Sequence, residues 1–326
     1  MSDQTYASVP EALVVGVFDN HTHLDPSGVP GTEALDYHAH LDKGSSVGVR
    51  GVVQVGTDVD SSIWSAELAA IEPRVLAAVA LHPNDAPRYE REGTLDESLA
   101  VIDELASRPR VRAIGETGLD YFRTGEEGRD AQHRSFEAHI EIAKRHGLAL
   151  QIHDRDAHDD VVETLLRVGA PEKTVFHCFS GDAELARIAV RNGWYLSFSG
   201  TVTFKNAHDL REALEIAPRH LLLVETDAPY LTPDPHRGRL NSPYMLPHTL
   251  RGMAKHLGTD VSMLAAQITS NTEEVYGLWD AEPVTAPRDF YTDPTFEMPP
   301  MTGAIRLPYL DDPDFDPASP KPESTT

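Results

Sequence analysis

A closed (β/α)₈ barrel is the fold this chain predicts. Eight short apolar, often β-branched runs alternate with longer segments of helical period, the pattern of repeated βα units. Eight runs favour closure over an open doubly wound sheet. No G-x-G-x-x-G or G-x-x-x-x-G-K-[ST] follows any run, which weakens the nucleotide-binding forms of the open sheet. Histidines and carboxylates also recur where the runs end. In a parallel barrel those ends share one mouth, the end where such folds do their chemistry.

The strands are predicted at 13–19, 51–57, 75–81, 111–116, 148–153, 174–177, 194–199 and 221–226. Helical segments are expected near 60–71, 95–107, 130–146, 158–169, 182–192 and 207–217, with a last helix ending near Tyr276 to Trp279. Gly147 and Gly193 fall just past helix ends, where glycine takes the left-handed conformation without penalty. The first crossover departs from a plain unit: residues 26–34 read as a loop before a short helix at 35–47. Residues 1–279 therefore form the barrel domain. Residues 280–326 are rich in Pro and Asp and lack sustained periodicity, and are expected to be a disordered or draping tail.

The chain has 326 residues, 40% hydrophobic and 25% charged, ample for one large core. Its single cysteine, Cys178, excludes an internal disulfide and fits a reducing compartment. The acidic start carries no leader pattern, and no stretch approaches the roughly 18–20 apolar residues of a membrane span, so a cytoplasmic protein is expected, with no membrane contact. The formal net charge is −24, of which −7 lies in the last 47 residues (ten Asp/Glu, three Lys/Arg) and −17 in the rest. Binding a polyanion through a basic face is thereby excluded. Bound cations and a few arginines would have to hold such a substrate.

The run ending at Phe18 leads into Asp19-Asn20-His21-Thr22-His23. Alternate strand residues point the same way, so both imidazoles enter the mouth together and can clasp one metal ion. The same lettering, D-x-H-x-H-L-D, recurs at 36–42 with His38 and His40. That copy lacks a preceding β-run and reads as helix, where residues two apart do not face each other. Glu116 ends the fourth strand between glycines, and its two oxygens can bridge two cations. His153 and His177 end the fifth and sixth strands and would hold a second ion, while Asp227, ending the eighth, completes the first. Two cations about 3.5–4 Å apart are a standard arrangement for phosphoester hydrolysis. Each residue alone has an ordinary structural reading. Six such groups in one mouth would cost desolvation unless cations satisfied them.

These residues lie in blocks that resemble the TatD-type metal-dependent hydrolases, mostly described as deoxyribonucleases. The blocks are Phe18 to Asp25, Ala80 to Pro83, Ile114 to Tyr121, Ile152 to Ala157, Phe176 to Gly181, Glu225 to Leu231 and Arg237 to Asn241, in the family's order across about residues 12–280. The resemblance implies that His21, His23, Glu116 and Asp227 hold one ion and that Glu116, His153 and His177 hold the other. It implies that His82 points at the scissile phosphate. The departures are a longer loop at 26–34, Asn84 where a histidine is often seen, and the acidic tail. None removes a ligand.

Four further positions complete the expectation. Glu225, two residues before Asp227, can face the mouth as a second catalytic carboxylate or pair with Arg155 or Arg239. Those arginines are phosphate forks or rim residues. Tyr121 and Phe122 stack on a base or pack on a neighbouring loop. Cys178 alternates away from His177 and reads as core packing. The sequence thus points to a deoxyribonuclease that uses two divalent cations (Mg²⁺, Mn²⁺ or Zn²⁺) on DNA, with Asp227, Glu116, His82 and Glu225 in catalysis and no obligate protein partner. An amidohydrolase-type attack on an ester or amide is the nearest rival, weakened because Lys173 begins its strand and no lysine ends one. A metal-stabilised scaffold with an acidic interaction tail is the rival outside enzymes.

Overall fold

The computed structural model describes residues 5–24 and 35–279. Its eight strands are β1 (Val17–Thr22), β2 (Val49–Val55), β3 (Val75–Val79), β4 (Val111–Asp120), β5 (Ala149–Arg155), β6 (Thr174–Phe176), β7 (Tyr195–Phe198) and β8 (Leu222–Val224). All pair in parallel with their sequence neighbours, and a bridge from Thr22 to Ala228 brings β1 against the segment after β8. The barrel is thereby nearly closed, as predicted.

Among the described residues ten α-helices surround it: α1 (Tyr37–Ser46), α2 (Val59–Ile71), α3 (Ala86–Glu92), α4 (Leu95–Leu105), α5 (Glu126–His146), α6 (His158–Val168), α7 (Ala183–Arg191), α8 (His208–Ile216), α9 (Leu246–His256) and α10 (Val261–Tyr276). Helices α3 and α9 were not anticipated. Each opens with a proline in its first turn, a helix-start signal too short-ranged to stand out. The loop expected at 26–34 and the tail expected at 280–326 lie outside the described residues.

The first strand is displaced from its expected span. Leu13 to Val15 precede the sheet, Val14 is exposed, and pairing starts only where Val17 meets Val49. In β4 the ladder runs on past Glu116 to Asp120, where it pairs Arg155.

Alternation divides the strands between two cores. Leu76 and Ala78 join Val53, Ala113, Ala149, Val175 and Leu223 inside the barrel. Ala77, Val79, Leu150, Leu222 and Val224 pack outward under the helices. Each buried Val or Leu contributes about 1.5–3 kcal/mol of transfer free energy. The inward rows run on toward the mouth as 78-80-82, 149-151-153-155, 175-177 and 223-225-227. Parity breaks in β1 and β4, where the register shifts between Asp19 and Thr22 and between Ile114 and Thr117. Such bulges re-aim side chains. They turn His21, His23 and Glu116 inward although Phe18 and Ala113 already face that way. At the other end, Trp279 stacks on Phe18 at 4.1 Å and plugs the barrel.

Candidate metal centre

The side chains at the mouth meet around Glu116. Its Oε1 lies 2.6 Å from His153 Nδ1 and 2.9 Å from His177 Nε2. Its Oε2 faces the other pair, 3.6 Å from His21 Nε2 and 3.9 Å from His23 Nε2. Asp227 Oδ1 stands 3.8 Å and 3.6 Å from the same two nitrogens. Asp227 reaches them from a left-handed backbone (φ 52°), with its amide held by the His21 carbonyl at 2.9 Å. A carboxylate residue in that region stores strain that its surroundings must hold in place. All six residues are buried or nearly so. The structure therefore brings all six expected ligands together.

What lies behind each ring fixes its tautomer. His21 Nδ1 donates to Gln151 Oε1 at 3.1 Å, and His23 Nδ1 to the Val55 carbonyl at 3.0 Å. His177 Nδ1 donates to Glu225 Oε1 at 3.0 Å, and His153 Nε2 to Asp120 Oδ2 at 3.1 Å. The other nitrogen of each ring therefore turns a lone pair toward the centre. His21 and His23 set theirs 3.3 Å apart. Lone pairs and carboxylates at these separations repel unless protons or cations lie between them. Protons can take that part. Burial works against charge on His153, yet Asp120 and Glu116 hold it up to about 9, and Glu116 and Glu225 likewise raise His177 well above the usual range. Burial works to raise the Glu116 carboxyl, but His177 and His82 hold it well below. Burial and the nearby His177 lower His21. The donor set suits divalent cations: neutral imidazoles backed by acceptors, plus two carboxylates.

Among the described residues, three triplets can hold an ion by geometry: His21, His23 and Asp227; His21, Glu116 and His177; and His82, Glu116 and His153. His82 differs from the others in tautomer. Its Nδ1 accepts the Asn84 amide at 3.1 Å, so Nε2 carries the proton and points it at Glu116 Oε1, 3.4 Å away. Its ring offers a donor where the other four offer lone pairs.

Glu225 is buried beside the centre. Its Oε1 also accepts the Cys178 amide at 2.7 Å, and its Oε2 has no hydrogen-bond partner among the described residues. Cys178 is not core packing as expected. It lies past the end of β6 with φ 39°, half-buried, its thiol 3.2 Å from Ser199 Oγ. Arg155 follows His153 on the inward row of β5, and Arg239 is exposed on the loop after β8. Tyr121, expected at the substrate, is otherwise engaged. Its hydroxyl contacts His133 at 2.7 Å and Asp160 at 2.5 Å, and Arg129 covers its ring at 3.9 Å.

Sequence reasoning missed the residues behind the candidate ligands. Asp120 is fully buried, and its Oδ2 also accepts from Asn84 Nδ2 at 3.0 Å. Despite burial, His153 and the Arg123 amide hold its carboxyl below the usual range. Gln151 is oriented by its own donations to the Asn20 carbonyl at 2.8 Å and Tyr276 Oη at 2.7 Å. Asp19 ties β1 to the segment after β8, accepting Thr226 N at 2.8 Å and Thr226 Oγ1 at 2.5 Å. Inward parity alone marked Gln151, two residues before His153. Gly115 makes room for it, since a Cβ there would stand 2.5 Å from the Gln151 Cβ.

Comparison with known proteins places the chain in a family. The sequence model of the TatD-related DNase family matches residues 18–277. An uncharacterized metal-dependent hydrolase, TatD, of Mycobacterium tuberculosis is 43% identical over 264 residues, covering 80% of this chain and 97% of its own length. A protein of Escherichia fergusonii named 3′-5′ ssDNA/RNA exonuclease TatD is 36% identical over 244 residues, covering 72% and 90%. Among solved structures, a TatD homologue of Escherichia coli superposes with TM-score 0.72 at 26% identity, covering 80% of this chain and 98% of that one. The chain belongs to the TatD-related DNase family and is a metal-dependent hydrolase.

Proposed function

We propose that this protein hydrolyses phosphodiester bonds in DNA, with two divalent cations held on either side of Glu116. One observation carries the reading: the two oxygens of a single buried carboxylate face two different histidine pairs. His21, His23, Glu116 and Asp227 would hold one cation, and Glu116, His153 and His177 the other. When bound, such cations polarise the phosphoryl group and lower the pKa of water to near neutrality.

The chain's own groups do the rest. Asp227 takes the proton of the attacking water and returns one toward the leaving oxygen. His82 donates its Nε2–H to a phosphoryl oxygen, the task its tautomer suits. Glu225 acts through His177 as a positioning residue, holding the imidazole with its lone pair inward. Arg155 and Arg239 meet the flanking phosphates at the rim. A chain of net charge −24 needs such local cations to approach a polyanion. The exonuclease name of the Escherichia fergusonii relative supports a nucleic-acid substrate.

The test is cleavage of defined single- and double-stranded oligonucleotides after chelation, with Mg²⁺, Mn²⁺ or Zn²⁺ added back. Cleavage that returns with metal is expected. Inactivity toward every oligonucleotide, with turnover of an ester or amide panel, overturns the reading.

A further inference from the structure

Among the described residues, Phe122 is an exposed large apolar side chain on the loop that follows β4, at the mouth end of the barrel. It is 48% exposed and follows Asp120, the end of β4, by two residues. The guanidinium carbon of Arg155 lies 3.8 Å from its ring centroid, and that of Arg123 lies 5.5 Å away. Arg155 shares the inward row of β5 with His153, while Asp154 between them turns to His158 at 2.7 Å. The ring and its guanidinium thus stand on the rim beside the candidate metal centre.

The loop that presents Phe122 is pinned on both sides. The Tyr121 amide donates to the Arg155 carbonyl at 2.9 Å, the Arg123 amide to Asp120 Oδ1 at 2.8 Å, and Thr124 Oγ1 to Asn84 Oδ1 at 3.1 Å. The other oxygen of Asp120 is the one that orients His153. One carboxylate therefore sets both a proposed metal ligand and the rim aromatic, so their spacing is preorganised.

We propose that Phe122, with the Arg155 guanidinium lying on it, is a stacking platform for an unpaired nucleobase next to the scissile phosphate. The inference rests on the phosphodiesterase reading above and names the part of the substrate that reading leaves open. Aromatic rings and guanidinium planes both stack bases, and the arginines match the flanking phosphates. A base already stacked in a duplex cannot reach the ring, so the platform selects single strands and frayed ends.

The test compares a single-stranded oligonucleotide with the same oligonucleotide made abasic at its terminal positions, using metal-loaded wild type, Phe122→Ala and Phe122→Trp. The ratio of kcat/KM for the base-bearing over the abasic substrate is expected to fall about tenfold in Phe122→Ala and to recover in Phe122→Trp. Terminal 2-aminopurine fluorescence, quenched on binding to wild type, should stay bright with Phe122→Ala. An unchanged ratio, or an equal loss on both substrates, overturns the platform and leaves the phosphodiesterase reading standing. Wild type that cleaves neither substrate with Mg²⁺, Mn²⁺ or Zn²⁺ overturns both.

Discussion

The chain spells D-x-H-x-H-L-D twice, at 19–25 and at 36–42, and folds the two copies in opposite ways. At the end of β1 the histidines bring their Nε2 atoms to 3.3 Å, with acceptors behind each ring. On α1 the same spacing sends His38 to solvent and His40 inward, where its Nδ1 meets Ser242 Oγ at 2.8 Å. The leading aspartates part company too. Asp19 clasps Thr226 across the barrel seam, whereas Asp36 caps α1 by accepting the Ala39 amide at 2.7 Å. Identical letters become candidate ligands in one place and packing in the other because strand and helix periods differ. Burial then separates them further. Burial and Lys43 push His40 down to about 4, so it stays a neutral packing group.

Experiments that break this contrast should differ steeply in size. Glu116→Ala removes the group both proposed cations share, and kcat should fall about 10³-fold or more with loss of bound metal. Metal analysis showing two ions per chain in a fully active variant would refute it. Replacing His21 and His23 together by Ala should cost nearly as much but spare part of the metal, since His153 and His177 remain. Asp120→Asn keeps the shape but weakens the acceptor behind His153, and metal affinity should drop about 10–100-fold by competitive chelation.

A smaller effect concerns pH. In the metal-free protein, burial opposes a proton on His153, but Asp120 and Glu116 hold its pKa up to about 9. A histidine raised above its unfolded value stabilises the fold fully below about pH 6.5, and this is lost as pH rises through the folded value. Bound metal takes over the proton's role and binds better as pH rises. The gap in melting temperature between loaded and chelated protein should therefore widen from pH 6 to pH 9. A gap that narrows would place the titration elsewhere. Smallest of all, replacing His38 and His40 by Ala should leave metal content and kcat intact while costing about 1–3 kcal/mol through the lost Ser242 contact, seen as a shifted denaturant midpoint.

The strand-end rule located the six expected ligands because parallel strands of a barrel end at one mouth. It brought the six together without naming the right strand limits. Leu13 to Val15 read as strand because they are apolar, yet they pair with no neighbouring strand. Asp120, Gln151 and Asp19 stayed hidden because a buried Asp or Gln that orients a ligand carries no spacing signal of its own. Tyr121 and Phe122 were indistinguishable as letters. Only packing ties one hydroxyl to His133 and Asp160 and leaves the other ring at the rim.

The sequence by itself determined the barrel, the candidate ligands at its strand ends and which H-x-H copy closes a strand, because periodicity and chain order survive in one dimension. Tertiary structure alone decided the two bulges that turn His21, His23 and Glu116 inward, and the acceptors that choose each tautomer. Those depend on contacts between residues far apart in the chain, such as His21 with Gln151 and Asp19 with Thr226, whose partners no local pattern announces.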